Sequence, residues 1–231
     1  MPTLRILSGG AAQGLVDALA PALKARTGYD VAGEFGAVGA MADRLRTGTP
    51  ADILILTAKL IATLADEGHA VAATRRDVGT VETAVAVRFG DEPVNVGSGA
   101  ALKAALLAAD EIYMPDPDKA TAGIHFANVL RSLGVWADVE KRIRAFPNGQ
   151  TAMRALAAAS TNRPIGCTQV TEILNTSGVT LVGPLPEGYD LATVYTAAVT
   201  ARAAAPEAAR TLIDLLTAAD ASDERKRAGF V

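Results

Sequence analysis

Four short segments place small or neutral polar residues where an apolar run gives way to an amphipathic one. They are SGGAAQ (8–13), GAVGA (36–40), ATAGIH (120–125) and PNGQTA (147–152), and a fifth, CTQVTE (167–172), is of similar make. A helix start carries unpaired N–H groups and a partial positive charge, which suits an anion. Glycine and alanine let a ligand come close to the backbone. No Lys or Arg lies inside these segments, although Lys119 borders the third, so an anion here would be held by hydrogen bonds and not by salt bridges. The ligand-contacting residues on this reading are Ser8, Gly9, Gly10, Ala11 and Gln13; Gly36, Ala37 and Val38; Thr121, Ala122 and Gly123; Gln150 and Thr151; and Thr168 and Gln169.

Other chemistries find little support. GEFGAVG (33–39) is not G-x-G-x-x-G, and no G-K-[ST] triplet occurs, so neither a dinucleotide fingerprint nor a P-loop is present. One cysteine, Cys167, leaves no internal disulfide and no cysteine-based metal cluster. His69 and His125 are too far apart in sequence to suggest zinc. The reading calls for no metal and no cofactor. The net charge is −3 with both signs mixed along the chain, and without a basic stripe nucleic acid is not an expected partner. No apolar run approaches the ~20 residues of a membrane span. MPTLRILSGG lacks the ordered regions of a secretory signal, so the chain reads as cytoplasmic, or as periplasmic if a leader has been trimmed.

The elements that position the segments follow from periodicity. Leu4–Leu7 is a short buried strand, and Leu15, Leu19, Ala22 and Leu23 recur on one helix face. A strand at 31–35, a short helix around Met41 and Leu45, the continuous apolar strand ADILIL (51–56) and a helix at 58–68 continue the alternation, which implies βαβ units. A long strand at 80–90 follows, in which Val81, Thr83, Val85 and Val87 form the apolar phase. A second α/β series comes next: a helix at 99–109, strand EIYMP (111–115), helices at 121–133, from Ala137 and from Thr151, and strands at 165–167 and 179–183. A second long run at 189–199 leads back to helices at 206–219 and near the C-terminus. Two crossovers imply two lobes, 1–82 plus 196–231 and 83–195.

The order of SGGAAQGL, GEFGAVGAM, GTPADILIL, MPDPDKATAGIHFANVLRSLGVW, RPIGCTQVTEI and the final GF resembles the molybdate-binding proteins of bacterial ABC transporters, nearly end to end. The resemblance implies an α/β, two-lobe, type II periplasmic-binding-protein fold with a two-strand hinge and a ligand in the interlobe cleft. If the protein is exported, it also implies an ABC permease as partner. Molybdate binders of this family use hydroxyl donors at positions that here read as Ala11, as Ala37, Val38 and Gly39, and as Gln169. Their loss makes a molybdate or tungstate receptor the weakest reading and points to a di- or tricarboxylate.

Aconitate isomerase is similar to this family, which raises an isomerase as the alternative to a binding protein. A proton shift needs a base and an acid near the substrate carbon. Glu34 and His125 are the candidate catalytic residues, and Cys167 is a third titratable group.

Overall fold

In the computed structural model, which describes residues 1–231, the chain starts with strand β1 (Thr3–Gly9), a single 3-10 turn (Gly10–Ala12) and helix α1 (Gln13–Thr27). Strand β2 (Asp30–Gly36), helix α2 (Val38–Arg46), strand β3 (Ile53–Thr57) and helix α3 (Ala58–Asp66) continue the alternation. The long strand β4 (Arg76–Arg88) then leaves the first of two compact units, Met1–Val81 with Thr193–Val231, and enters the second, Glu82–Ala192. The second unit contains α4 (Gly99–Ala108), β5 (Glu111–Pro115), α5 (Thr121–Ser132), α6 (Trp136–Val139), β6 (Ile143–Phe146), α7 (Gly149–Ala157), β7 (Pro164–Gln169), α8 (Val170–Leu174) and β8 (Val179–Pro184). Strand β9 (Ala192–Val199) returns the chain to the first unit, which ends with α9 (Pro206–Thr217) and α10 (Ser222–Arg227). No helix is long and apolar enough to cross a membrane.

In the first unit β1 lies between β2 and β3, parallel to both, and β9 runs antiparallel to β3, from Ile53↔Val199 to Thr57↔Tyr195. The continuous apolar run of β3 is covered on both faces, as Ile53, Leu54, Ile55 and Leu56 are all fully buried. Asp52, just before it, is 2% exposed and satisfied by backbone alone. It accepts from Arg5 N–H at 2.8 Å, Ala204 N–H at 2.7 Å and Ala205 N–H at 2.9 Å. The aspartate of PADILIL therefore ties β1 to the segment that opens α9. The terminal GF is equally structural: Phe230 is 1% exposed and packs edge-on against Tyr195 at 6.4 Å between ring centroids.

In the second unit β4 lies between β8 and β7, and β5 lies between β7 and β6. Side chains alternate faces along each strand. Val85, Val87, Ile112, Met114, Ile165 and Cys167 meet α4 and α5 in one core, through Leu102, Leu106, Phe126 and Leu130. Ala84, Ala86 and Tyr113 meet α7 and α8 in the other, through Met153, Leu156 and Ile173.

The structure departs from the sequence reading in several places. β1 runs on to Gly9, so Ser8 and Gly9 are strand residues and the helix opens through a 3-10 turn. The helix expected from Ala137 is only one turn of α6 followed by a 3-10 turn at Glu140–Arg142, and β6 comes next where no strand was expected. This edge strand, IRAF, is only half-buried and carries Arg144, so it lacks an apolar alternation. The return strand begins at Ala192, not at Tyr189, and β4 begins four residues earlier than expected, at Arg76.

Candidate functional site

The five segments sit at strand–helix junctions, but the chain uses them differently. In the first unit Ser8 is fully buried, and its hydroxyl donates to the Gly9 carbonyl at 2.8 Å. The Gln13 side chain is turned along its own helix to Asp17. Gly9 is small for a reason within the fold. A β-carbon there would stand 2.7 Å from Tyr195 Cε1 and 2.9 Å from Val38 Cγ1. The first junction, the first residue of α2 and the Tyr195 ring thus meet at one point. Gly36 likewise faces the Met41 methyl, 3.0 Å from where a β-carbon would be. The helix starts at Gly10–Ala11 and at Ala37–Val38 have no side-chain cap and no acidic residue in the first turn.

In the second unit the fourth junction is already full. Glu172 is 5% exposed, and its carboxylate is hydrogen-bonded by the backbone N–H groups of Gly149, Gln150 and Gln169. The Thr168 hydroxyl donates to Oε2 at 2.5 Å. Glu172 is the third residue of α8 and reaches back to the residue that caps it, as in a capping box, while also closing the start of α7. The next α7 donor, Thr151 N–H, goes to Asn148 Oδ1 at 2.8 Å. The backbone donors of PNGQTA at Gly149, Gln150 and Thr151 are therefore engaged within the chain. Thr168 is engaged with Glu172, and of Gln150 and Thr151 only the side chains remain. Burial pushes the Glu172 carboxyl above its ordinary value of 4.5, against the pull of these hydrogen bonds.

The third junction has no such filler. Ala120 precedes α5 in an extended conformation, no side chain caps the helix, and its first turn holds no acid. Gly123 is small because a β-carbon would stand 2.5 Å from the Pro115 carbonyl oxygen and closer still to that of Asp116, so helix and strand end are packed backbone to backbone. In the pleat Thr168 points to the α7 face, where Glu172 lies, and Gln169 to the α5 face, where it is 3% exposed. Thr121 and Ala122 lead α5 on that same side of the sheet.

The two candidate catalytic groups each have a partner within the chain. Glu34 on β2 is 45% exposed and is bound by both guanidinium nitrogens of Arg44, one at 3.0 Å. Arg44 is in the last turn of α2, so Glu34 lies along the C-terminal half of that helix and away from its start. His125 is in the second turn of α5, and its Nε2 donates to the Tyr189 carbonyl at 2.7 Å, which tethers the helix to the 186–191 loop. Cys167 is wholly enclosed, and burial pushes its thiol well up, which keeps it unreactive.

Sequence reasoning passed over Glu172, Tyr195, Asp52 and Thr83. The last of these carried a visible signal, because it is the one polar residue in the run Val81, Thr83, Val85, Val87. It is 1% exposed and its hydroxyl has no hydrogen-bond partner.

A family model described as bacterial extracellular solute-binding protein matches residues 4–231. Aconitate isomerase from Pseudomonas sp. is 27% identical over 242 aligned residues, covering 99% of this chain and 87% of that protein. Among solved structures, the periplasmic molybdate-binding protein of Azotobacter vinelandii superposes with a TM-score of 0.81 at 19% identity, covering 99% of this chain and 98% of the other. The sulfate-binding protein SubI from Mycobacterium tuberculosis superposes with a TM-score of 0.77 at 18% identity, covering 100% and 86%. These are type II periplasmic binding proteins, and this chain shares their fold.

Proposed function

The chain belongs to the bacterial extracellular solute-binding protein family, and from that premise we propose that its solute is a small di- or tricarboxylate. The donors in this reading are the uncapped helix start at Thr121–Gly123 and Gln169 beside it, both in the second unit. The observation that carries it is Glu172. At the start of α7 this fold accommodates a carboxyl group on main-chain N–H groups and a threonine hydroxyl, with no cation among its partners. The other junctions offer the same chemistry without an internal occupant. Ala11, Ala37 and Gln169, where molybdate binders carry hydroxyls, argue against a tetrahedral oxyanion. As a receptor the protein would pass its anion to an ABC permease.

The test is a thermal-shift series with citrate, trans-aconitate, succinate, molybdate and sulfate. A ligand that binds only the folded chain raises its melting temperature. Stabilisation by the carboxylates, and not by the inorganic anions, is the expected result, and the reverse pattern would refute the reading.

A second reading, isomerisation of a tricarboxylate, is favoured by the relation to aconitate isomerase over 99% of the chain. It needs a base at the substrate carbon; Glu34 is paired with Arg44, and His125, in the second turn of α5, is bonded to the Tyr189 carbonyl. Deuterium exchange from D₂O into bound trans-aconitate, followed by NMR, separates the two readings.

A further inference from the structure

We infer that the Thr83 hydroxyl is a ligand-binding group of the second unit, and that it contacts an oxygen of the carboxylate held at the start of α5. This rests on the carboxylate reading above. The backbone of Thr83 is clamped on both sides: its N–H donates to the Leu191 carbonyl at 2.9 Å, and its carbonyl accepts from Leu185 N–H at 3.0 Å. The side chain is thus presented from a fixed position. Thr83 pairs directly with Gln169 across the β4–β7 ladder, and directly opposed residues of an antiparallel pair share a face. Two residues further along, the Val85↔Cys167 pair lies in the core beneath α5, so the Thr83↔Gln169 pair extends that stripe to the end of the sheet from which α5 departs.

The hydroxyl at that place is 99% buried by residue and makes no hydrogen bond within the chain. Leaving a buried hydroxyl unpaired is unfavourable, and a valine of the same shape would continue the stripe of Val81, Val85 and Val87 without that penalty. A threonine here is accounted for by a partner outside the chain. The Thr171 and Thr193 hydroxyls are also unpaired, but Thr171 belongs to the short α8 and Thr193 to the first unit. A hydroxyl donating to one carboxylate oxygen, with main-chain N–H groups on the other, repeats the arrangement of Thr168 and the α7 start around Glu172.

Calorimetric titration of citrate and trans-aconitate into wild type, Thr83→Val, Thr83→Ala and Thr83→Ser tests this, with the melting temperature of each unliganded variant as control. The expected result is a loss of about tenfold or more in affinity for the valine and alanine variants, with near wild-type affinity for serine. The unliganded valine variant should melt no lower than wild type, a result that a purely structural hydroxyl would not give. Undiminished affinity in the valine or the alanine variant would overturn the role of Thr83 while leaving the carboxylate reading intact. A wild-type chain that binds neither acid would overturn both.

Discussion

The Glu172 carboxyl group packs against the α-carbon of Gly149. A β-carbon at position 149 would stand 2.6 Å from the carboxyl carbon, and closer still to Oε2 and to the Thr168 hydroxyl. The absent side chain at the start of α7 thus makes room for an acid from within the chain.

Gly149→Ala should therefore destabilise the protein by about 1–3 kcal/mol through overpacking, measured by urea unfolding. The loss should shrink in a Glu172→Ala background, because residues in contact do not act additively. Equal losses in both backgrounds would contradict the packing.

The raised Glu172 carboxyl predicts a particular pH dependence. The folded chain holds this proton more readily than the unfolded chain, so stability from the group falls as pH rises from 4.5 through its higher folded value. Glu172→Gln removes that slope. The melting temperature of the variant relative to wild type should increase as pH is raised from 4.5 towards neutrality, and a difference that stays flat would count against a buried ionisable acid.

Asp52→Ala strands three backbone donors, at Arg5, Ala204 and Ala205, and unties β1 from the start of α9. Loss of hydrogen bonds to a charged acceptor at a buried site should cost about 3 kcal/mol or more. Denaturant unfolding reads this directly, and a variant as stable as wild type would show that the three bonds contribute nothing.

Glu34→Gln should leave carboxylate affinity unchanged and alter stability by less than about 1 kcal/mol, as expected for an exposed ion pair. Calorimetry and thermal melting check the two halves. A collapse of affinity would place Glu34 in the binding machinery.

The alternation of strands and helices was legible in the sequence because each apolar run has the period of its element. The edge strand β6 was not, since IRAF is half-exposed and keeps no alternation. The small residues at the junctions were legible as a pattern, but their causes were not. Gly9, Gly123 and Gly149 face Tyr195, the carbonyls of Pro115 and Asp116, and Glu172, all contacts set by tertiary packing. Glu172 itself reads in sequence as an ordinary acid in the first turn of a helix. Only the neighbouring helix, 23 positions earlier at Gly149, gives it a second role.

The order of strands in the first unit also bears on biosynthesis. Its sheet places β9 between β3 and β4, so the unit lacks an interior strand until residues 192–199 have been translated. The second unit is one continuous stretch, Glu82–Ala192, and is complete in sequence earlier. On the ribosome the half of the protein that is begun first is finished last. Until then β3, the most apolar strand of the chain, has an unpaired edge that is open to pairing with another chain.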